Sequence, residues 1–467
     1  MAYFSLPAIT RVTIARRKLC ASILEKTKQL ARNMIFKLCA GIITSIKNLL
    51  HSKSFIARHR NTETHFTRHR KLPLHVLICF LADFLKGPYQ SELDKFFQAL
   101  RGTELPERYV SKAAFSKARA KVSYGAFVEL GQCLVSAFQR TFVPVTWQGF
   151  RLLAIDSSTI RLPRIQEIAS HFGVWKPRQG RSCPMARASL LFDTLNKLSI
   201  GAMIGPKAMN EREQAQELFN LLMPHDLLLL DRGYPCFWLF KLIRSKGAHF
   251  CARMPKNLLT VKALCASGRR ETIIDWPLPP TSAHECAQRG IDCQSLKLRL
   301  IRIDTTGDEP LFLATSLLDC ALYPYELFTN LYQHRWPVEE DYKVIKCRLE
   351  MENFTGKTVL SIYQDFYAKI FFKNLVAVLS FPINQALINA GIKHKHPHQI
   401  NFAHSLALSK RLVVVLLQRS TQRVLKILQQ FLQLLVETTE PVRPGRTYPR
   451  NVRTQERRYF YIYKPIA

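Results

Sequence analysis

Tyr332-Gln-His-Arg-Trp-Pro-Val-Glu-Glu-Asp-Tyr-Lys-Val-Ile-Lys346 gathers a phenol, a guanidinium, a carboxylate and an ammonium at Tyr332, Arg335, Glu339 and Lys346, with the spacing Y-x2-R-x3-E-x6-K. On a helix turning about 100° per residue, these four positions fall within a sector of about 60°. One face would then carry a metal-binding oxygen flanked by donors suited to phosphate. The competing reading is a solvated charged face with Trp336, Val338, Tyr342 and Ile345 packed beneath it, and periodicity does not separate the two. Proline belongs in a helix's first turn, so Pro337 predicts a helix beginning near Trp336, with Tyr332 and Arg335 on its approach.

The stretch resembles the YREK signature of bacterial DDE transposases of the insertion sequence 4 family, in all four letters, in all three spacings and in the His334-Arg335-Trp336 run with an acidic pair after it. The resemblance implies that Glu339 is the third of three catalytic, metal-binding acids. It also implies that Tyr332, Arg335 and Lys346 contact the DNA end near the cleavage site. An RNase H-like fold follows from it, with the first acid on the first strand, the second on the fourth and the third on a helix. Two aspartates on strands are therefore expected upstream.

Phe150-Arg-Leu-Leu-Ala-Ile-Asp156-Ser-Ser-Thr-Ile-Arg-Leu-Pro163 supplies one: four apolar residues ending in an aspartate read as a buried strand delivering a carboxylate. Many strands end in Asp as a turn or cap residue, and the resemblance favours the catalytic reading for Asp156, since the family's first acid lies in an Ile-Asp-Gly-Ser-Thr context. Leu162-Pro163 and Phe172-Gly173 follow as they do in the family, whereas Ser157 stands where glycine is more usual. Asp226-Leu-Leu-Leu-Leu-Asp231-Arg-Gly-Tyr234 supplies the other, a leucine strand entering a helix over 237–246. Asp231 would sit at the carboxyl end of the sheet, where open α/β folds place their ligands, with Asp226 at the opposite end as a cap. Asp-Arg-Gly-Tyr is similar to the family's second acid. Residues 185–191 and 193–204 read as a hairpin turned at Asp193–Lys197, followed by a helix over 210–222 with Glu211, Glu213 and Glu217 on a solvated face.

The 467 residues carry 68 Lys+Arg against 34 Asp+Glu, a net charge of +34. Such an excess predicts a polyanionic partner. No uninterrupted apolar run reaches about 18 residues, which weighs against a membrane, and the charged N-terminus is unlike a signal peptide. Twelve cysteines without a C-x2-C pair suit reduced thiols in a cytosol, and the sparse set His284, Cys286 and Cys293 reads as a loop more readily than a zinc site. No phosphate loop is present, so ATP is not implied.

In domain terms, 1–70 is a basic extension and 71–145 a helical DNA-binding domain, in which Lys112, Lys117 and Arg119 are candidate backbone contacts against the alternative of a solvated helix face. Residues 146–380 form the α/β, RNase H-like core, with a mostly β insertion at 255–320 before the last acidic helix. That insertion includes an irregular stretch from 257 to 278 and a hairpin over 295–318. Residues 381–467 are a helical C-terminal region ending in a basic tail with interleaved aromatics, which suits either disorder or a grip on nucleic acid.

The implied chemistry is hydrolysis at each transposon end followed by attack of the freed 3′-hydroxyl on target DNA. It would use two Mg2+ ions, with Mn2+ as a substitute, bound by Asp156, Asp231 and Glu339. The implied partners are inverted-repeat ends and target DNA, gripped by a homodimer without a membrane, in a cytoplasmic, nucleoid-associated setting. A catalytically silent DNA-binding regulator derived from a transposase is the main competitor. A nuclease that cuts without joining is the more distant one.

Overall fold

The computed structural model describes residues 33–83, 85–176, 182–304, 309–389, 396–410 and 412–443. Expectations for the first 32 residues, for the turn at 305–308 and for the tail beyond 443 lie outside the described residues. The strands in chain order are β1 (Arg151–Arg161), β2 (Val174–Trp175), β3 (Cys183–Asp193), β4 (Leu198–Pro206), β5 (Asp226–Leu230), β6 (His249–Arg253), β7 (Glu271–Trp276), β8 (Leu296–Ile303) and β9 (Leu311–Thr315). They form one mixed sheet in the order β2-β3-β1-β5-β6-β9-β8-β7, with β4 also paired to β3. β1 runs antiparallel to β3 and parallel to β5, and β5 runs parallel to β6.

Burial on both faces explains the unbroken apolar runs of β1 and β5: Leu152 to Ile155 and Leu227 to Leu230 are all inaccessible to solvent. Alternation sends Leu152, Ala154, Leu227 and Leu229 to one core and Leu153, Ile155, Leu228 and Leu230 to the other. The first core is filled by the helix Val359–Asn389, the second by Phe219, Phe237 and Phe240. The predicted hairpin is present: the Asp193 carboxylate accepts the Asn196 N–H at 3.0 Å, and Lys197 takes φ 57° in the turn. Asn210 and Glu213 close a capping box on the helix Glu211–Leu218, while Glu211 pairs with Arg187. Two of the three glutamates expected on a solvated face thus have structural partners.

The insertion differs from its expected form. Residues 257–278, read as irregular, contain the helix Leu259–Ala266 and β7, and a second helix follows at Pro280–Gln288. The segment is therefore mixed, because Val261, Leu264 and Cys286 give these short helices buried anchors on the sheet. The two predicted hairpin strands are β8 and β9, and β9 pairs with β6, so the insertion widens the central sheet.

The helix Val359–Asn389 is 31 residues long and runs through position 380, where a domain boundary was expected. Its apolar residues face the core on most sides, leaving no break in pattern to mark that point. Together with Asn33–His51 it is long and apolar enough to cross a membrane by length and composition, although charged residues such as Lys37, Lys47, Lys369 and Lys373 interrupt both apolar stretches. In Val359–Ile388 the apolar window is 94% buried inside the fold, which accounts for its composition as core. One contiguous cluster joins this helix to N-terminal residues such as Ile46, Phe80 and Phe138 and to C-terminal Leu417 and Leu428.

Candidate active site

The parallel register of β1 and β5 pairs Arg151 with Asp226 and Ala154 with Leu229, a constant offset of 75 residues (226 − 151). Carried on by two residues, the same offset aligns Asp156 with Asp231, one step beyond the end of β5. Both side chains fall on the face of the first core, by the alternation of Ala154 and Leu229. At the other end of the pair, Arg151 donates to both Asp226 oxygens at 2.7 Å, and Asp226 accepts the Met223 N–H. Asp226 has the structural role the sequence suggested.

Glu339 reaches this face from the helix Pro337–Lys343. The segment before it is not one continuous α-helix: Leu327–Gln333 ends, the chain turns at His334–Trp336, and Pro337 opens the next helix. Tyr332 therefore stands at the end of one helix and Arg335 in the turn, while Val344–Arg348 winds as a π-helix carrying Lys346. Such π segments cluster at functional sites, and nothing in the residue spacing signals this one. The Tyr342 hydroxyl seats the helix on the sheet, donating toward the carbonyls of Asp156 and Ala188 at 3.0 and 2.9 Å. Behind it, buried Lys373 donates to Asp341 at 2.6 Å and to Ser199 at 2.8 Å.

The four signature side chains converge on the carboxylates by separate routes. Tyr332 donates to the Leu230 carbonyl at 3.3 Å, at the end of the strand leading to Asp231. Lys346 donates to the Ser158 hydroxyl at 2.6 Å, two residues beyond Asp156 on the same face. Arg335, 5% exposed, is ion-paired to Glu339. Ser157 turns to the opposite face, where its buried hydroxyl has no hydrogen-bond partner among the described residues, so it does not stand between the two aspartates.

Burial pushes the Asp156 carboxyl up to about 6. The Ser157 N–H and the Arg335 charge oppose the rise, and the nearby charges of Glu339 and Asp231 add to it. Burial also pushes the Tyr332 phenol up and the Lys346 ammonium below its usual value. For Arg335 burial works against the charged form, but the Glu339 hydrogen bond and the charges of Tyr332 and Asp231 outweigh it and hold the guanidinium above its usual value. The three acids thus share one electrostatic environment. Among the described residues, however, no three His, Cys, Asp or Glu side chains converge closely enough to hold an ion as they stand, His284, Cys286 and Cys293 included.

Arg119 is a correction. It was expected on a DNA backbone beside Lys112 and Lys117, but it is 5% exposed and donates all five of its N–H groups inside the protein. Nε bonds Gln364; one Nη bonds Tyr89 and Thr355; the other bonds the Ser361 carbonyl and Asp365 at 2.6 Å. It ties the helical domain to the long helix and has nothing left for phosphate. Lys112 and Lys117 are exposed. The sequence reading also passed over Arg253, which ends β6 beside Asp231; the signal was the strand itself, whose last residue is basic.

Residues 147–374 match the family described as the transposase DDE domain. The transposase InsG for insertion sequence element IS4, from Escherichia coli strain K12, is 22% identical over 403 residues, spanning 84% of this chain and 88% of that protein. Among solved structures, the cryo-EM structure of the piggyBac transposase synaptic complex with hairpin DNA aligns with a TM-score of 0.41 and 10% identity, covering 89% of this chain and 87% of that one. The segment that holds Asp156, Asp231, Glu339 and Lys346 belongs to the transposase DDE domain family.

Proposed function

We propose that this chain is a metal-dependent DNA transposase that cleaves the ends of its element and joins them to target DNA, with Asp156, Asp231 and Glu339 as the catalytic acids on an RNase H-like core. The observation that carries this reading is the 75-residue offset of β1 and β5, which brings two carboxylates distant in sequence side by side at a sheet edge. The strand order supports the core assignment: β4-β3-β1 is antiparallel, and β5 and β6 continue it in parallel.

The donors suit a hard dication in kind, being carboxylate oxygens whose mutual repulsion a cation would relieve. Asp156 and Asp231 would hold it from the sheet, and Glu339 would join them on leaving Arg335. Magnesium bound there, or manganese in its place, would activate the attacking oxygen and stabilise the leaving one. Arg335 released from Glu339 can fork onto a phosphate, Lys346 offers a point charge, and Tyr332 offers a hydroxyl. Lys112 and Lys117 extend the contact along the DNA backbone. Two ends handled alike suggest a homodimer on DNA.

One observation favours the silent-regulator reading, namely the Arg335–Glu339 pair, which occupies the third acid. A labelled transposon end incubated with a plasmid target in magnesium separates the two. Wild type should nick and join. Glu339→Gln should bind the end yet do neither, and joining at the wild-type level by Glu339→Gln would overturn the assignment. A wild-type protein that binds but never cuts would leave only the regulator.

A further inference from the structure

Arg253 completes a row that neither the signature nor the three acids include. The β5–β6 register pairs Leu227 with His249 and Leu230 with Ala252, an offset of 22 residues (249 − 227). One further step aligns Asp231 with Arg253. Since Asp156 already aligns with Asp231, three adjacent parallel strands deliver Asp156, Asp231 and Arg253 in line on one face. Neighbouring strands lie about 4.8 Å apart, so the backbone of Arg253 lies roughly two strand spacings, about 10 Å, from that of Asp156.

The cations of the site differ in their commitments. Arg335 is buried against Glu339, and half-buried Lys346 is hydrogen-bonded to Ser158 on the β1 side of the row. Arg253 is exposed and makes no side-chain hydrogen bond or ion pair among the described residues. Glu309, the nearby carboxylate, is paired with Lys256. Arg253 opens into a cavity of about 500 Å³ whose wall includes Thr329, Tyr332, Gln333, Arg335 and half-exposed Trp336. The wall also carries the Glu309 carboxylate, which is ion-paired to Lys256 and which the Arg253 charge acts on without a hydrogen bond; the exposed guanidinium thus keeps its donors for an anion, beside hydroxyl, amide and indole groups.

The geometry points to Arg253 as a substrate-binding residue that takes a backbone phosphate of the DNA strand on the β6 side of the carboxylates, opposite the phosphate taken by Lys346. The strand would then cross the sheet edge from Lys346, over Asp156 and Asp231, to Arg253 and the Trp336 cavity. This rests on the proposed transposase reading and deepens it by fixing the direction in which the substrate crosses the site.

The test uses full-length protein and a duplex carrying the element's end, with single methylphosphonates that remove one phosphate charge at a time around the cleavage position. Binding is measured in EDTA at several salt concentrations. Wild type should lose about tenfold at the phosphate that Arg253 holds, the loss expected of one charge-assisted contact. Arg253→Gln should bind the unmodified end about tenfold more weakly, show a salt slope lower by about one, and ignore the methylphosphonate at that position alone. Arg253→Lys should regain the slope but only part of the affinity, since it cannot form the bidentate fork. A wild-type methylphosphonate profile and salt slope in Arg253→Gln would overturn the inference. That outcome is separable from failure of the transposase reading, which shows instead as a wild-type protein that binds the end in magnesium but neither nicks nor joins it.

Discussion

Two basic residues on one short helix, two positions apart, show how much a residue's role depends on what lies across from it. Lys117 is exposed, whereas Arg119 lies inside a completed five-donor network with Asp365 fully buried beneath it. Removing one member of a buried ion pair leaves a charge without compensation and costs about 3–5 kcal/mol. Arg119→Met should therefore lower stability by that order in a denaturant titration, whereas Lys117→Ala should leave stability within about 0.5 kcal/mol and weaken DNA binding several-fold. The two residue types read alike in sequence, because burial of an arginine is decided by residues some 245 positions away. Asp193 makes a similar point about charge. Burial lifts its carboxyl from an ordinary 3.8 to about 6, against the pull of Asn196 and Arg151. A carboxyl whose pKa rises on folding stabilises the fold fully below its unfolded pKa and loses that contribution as pH rises toward the folded one. The loss, on the order of 3 kcal/mol, should fall between about pH 4 and 6. Asp193→Asn removes this dependence, so the stability of the variant relative to wild type should climb across that window and level off above it.

At the scale of elements, the acidic helix is positioned by contacts from several directions. Pro337 starts it, as the sequence indicated, and the Tyr342 hydroxyl docks it on the carbonyl of the strand residue that bears the first acid. Its buried side is fixed by Asp341 and Lys373, both nearly inaccessible and joined across to β4 through Ser199. Helical periodicity put the four signature residues in one sector, with the helix beginning near Trp336, but it does not describe the path the chain takes. A turn at His334–Trp336 and a π segment at Val344–Arg348 do the placing. Both depend on where the sheet and the long helix lie, which no local pattern encodes. The strands were more legible, since apolar runs flanked by acids have few alternative explanations once both faces are buried. If Lys373 is mainly a counter-ion for Asp341, Lys373→Met should destabilise by about 3–5 kcal/mol and the joint change with Asp341→Leu should recover most of it. A double variant no better than the single one, measured by the same denaturant series, would assign Lys373 a separate role toward Ser199.

For the whole molecule, the long core helix couples the N-terminal helices, the sheet and the C-terminal helices into one apolar cluster, so the domain limits drawn from composition do not correspond to breaks in the core. Composition was a better guide to surface than to boundaries. The excess of 34 positive charges has few acids to meet it, and many basic side chains, Lys112, Lys117 and Arg253 among them, remain exposed. Binding carried by phosphate contacts releases counterions, so the logarithm of the affinity should fall linearly with the logarithm of salt at about −0.9 per neutralised phosphate. With six to ten contacts, affinity for a DNA end should drop by roughly 10³ to 10⁵ between 50 and 200 mM salt. The acids enter with opposite sign: Asp156→Asn removes a repulsive charge from the path of the strand, and in EDTA it should bind the end at least as tightly as wild type while losing magnesium-dependent cleavage. A filter-binding series over salt, run with wild type and Asp156→Asn, reads both effects. A flat salt response would mean that the positive surface serves a partner other than DNA, and weaker binding by Asp156→Asn would mean that this carboxylate supports the fold and does not face the substrate.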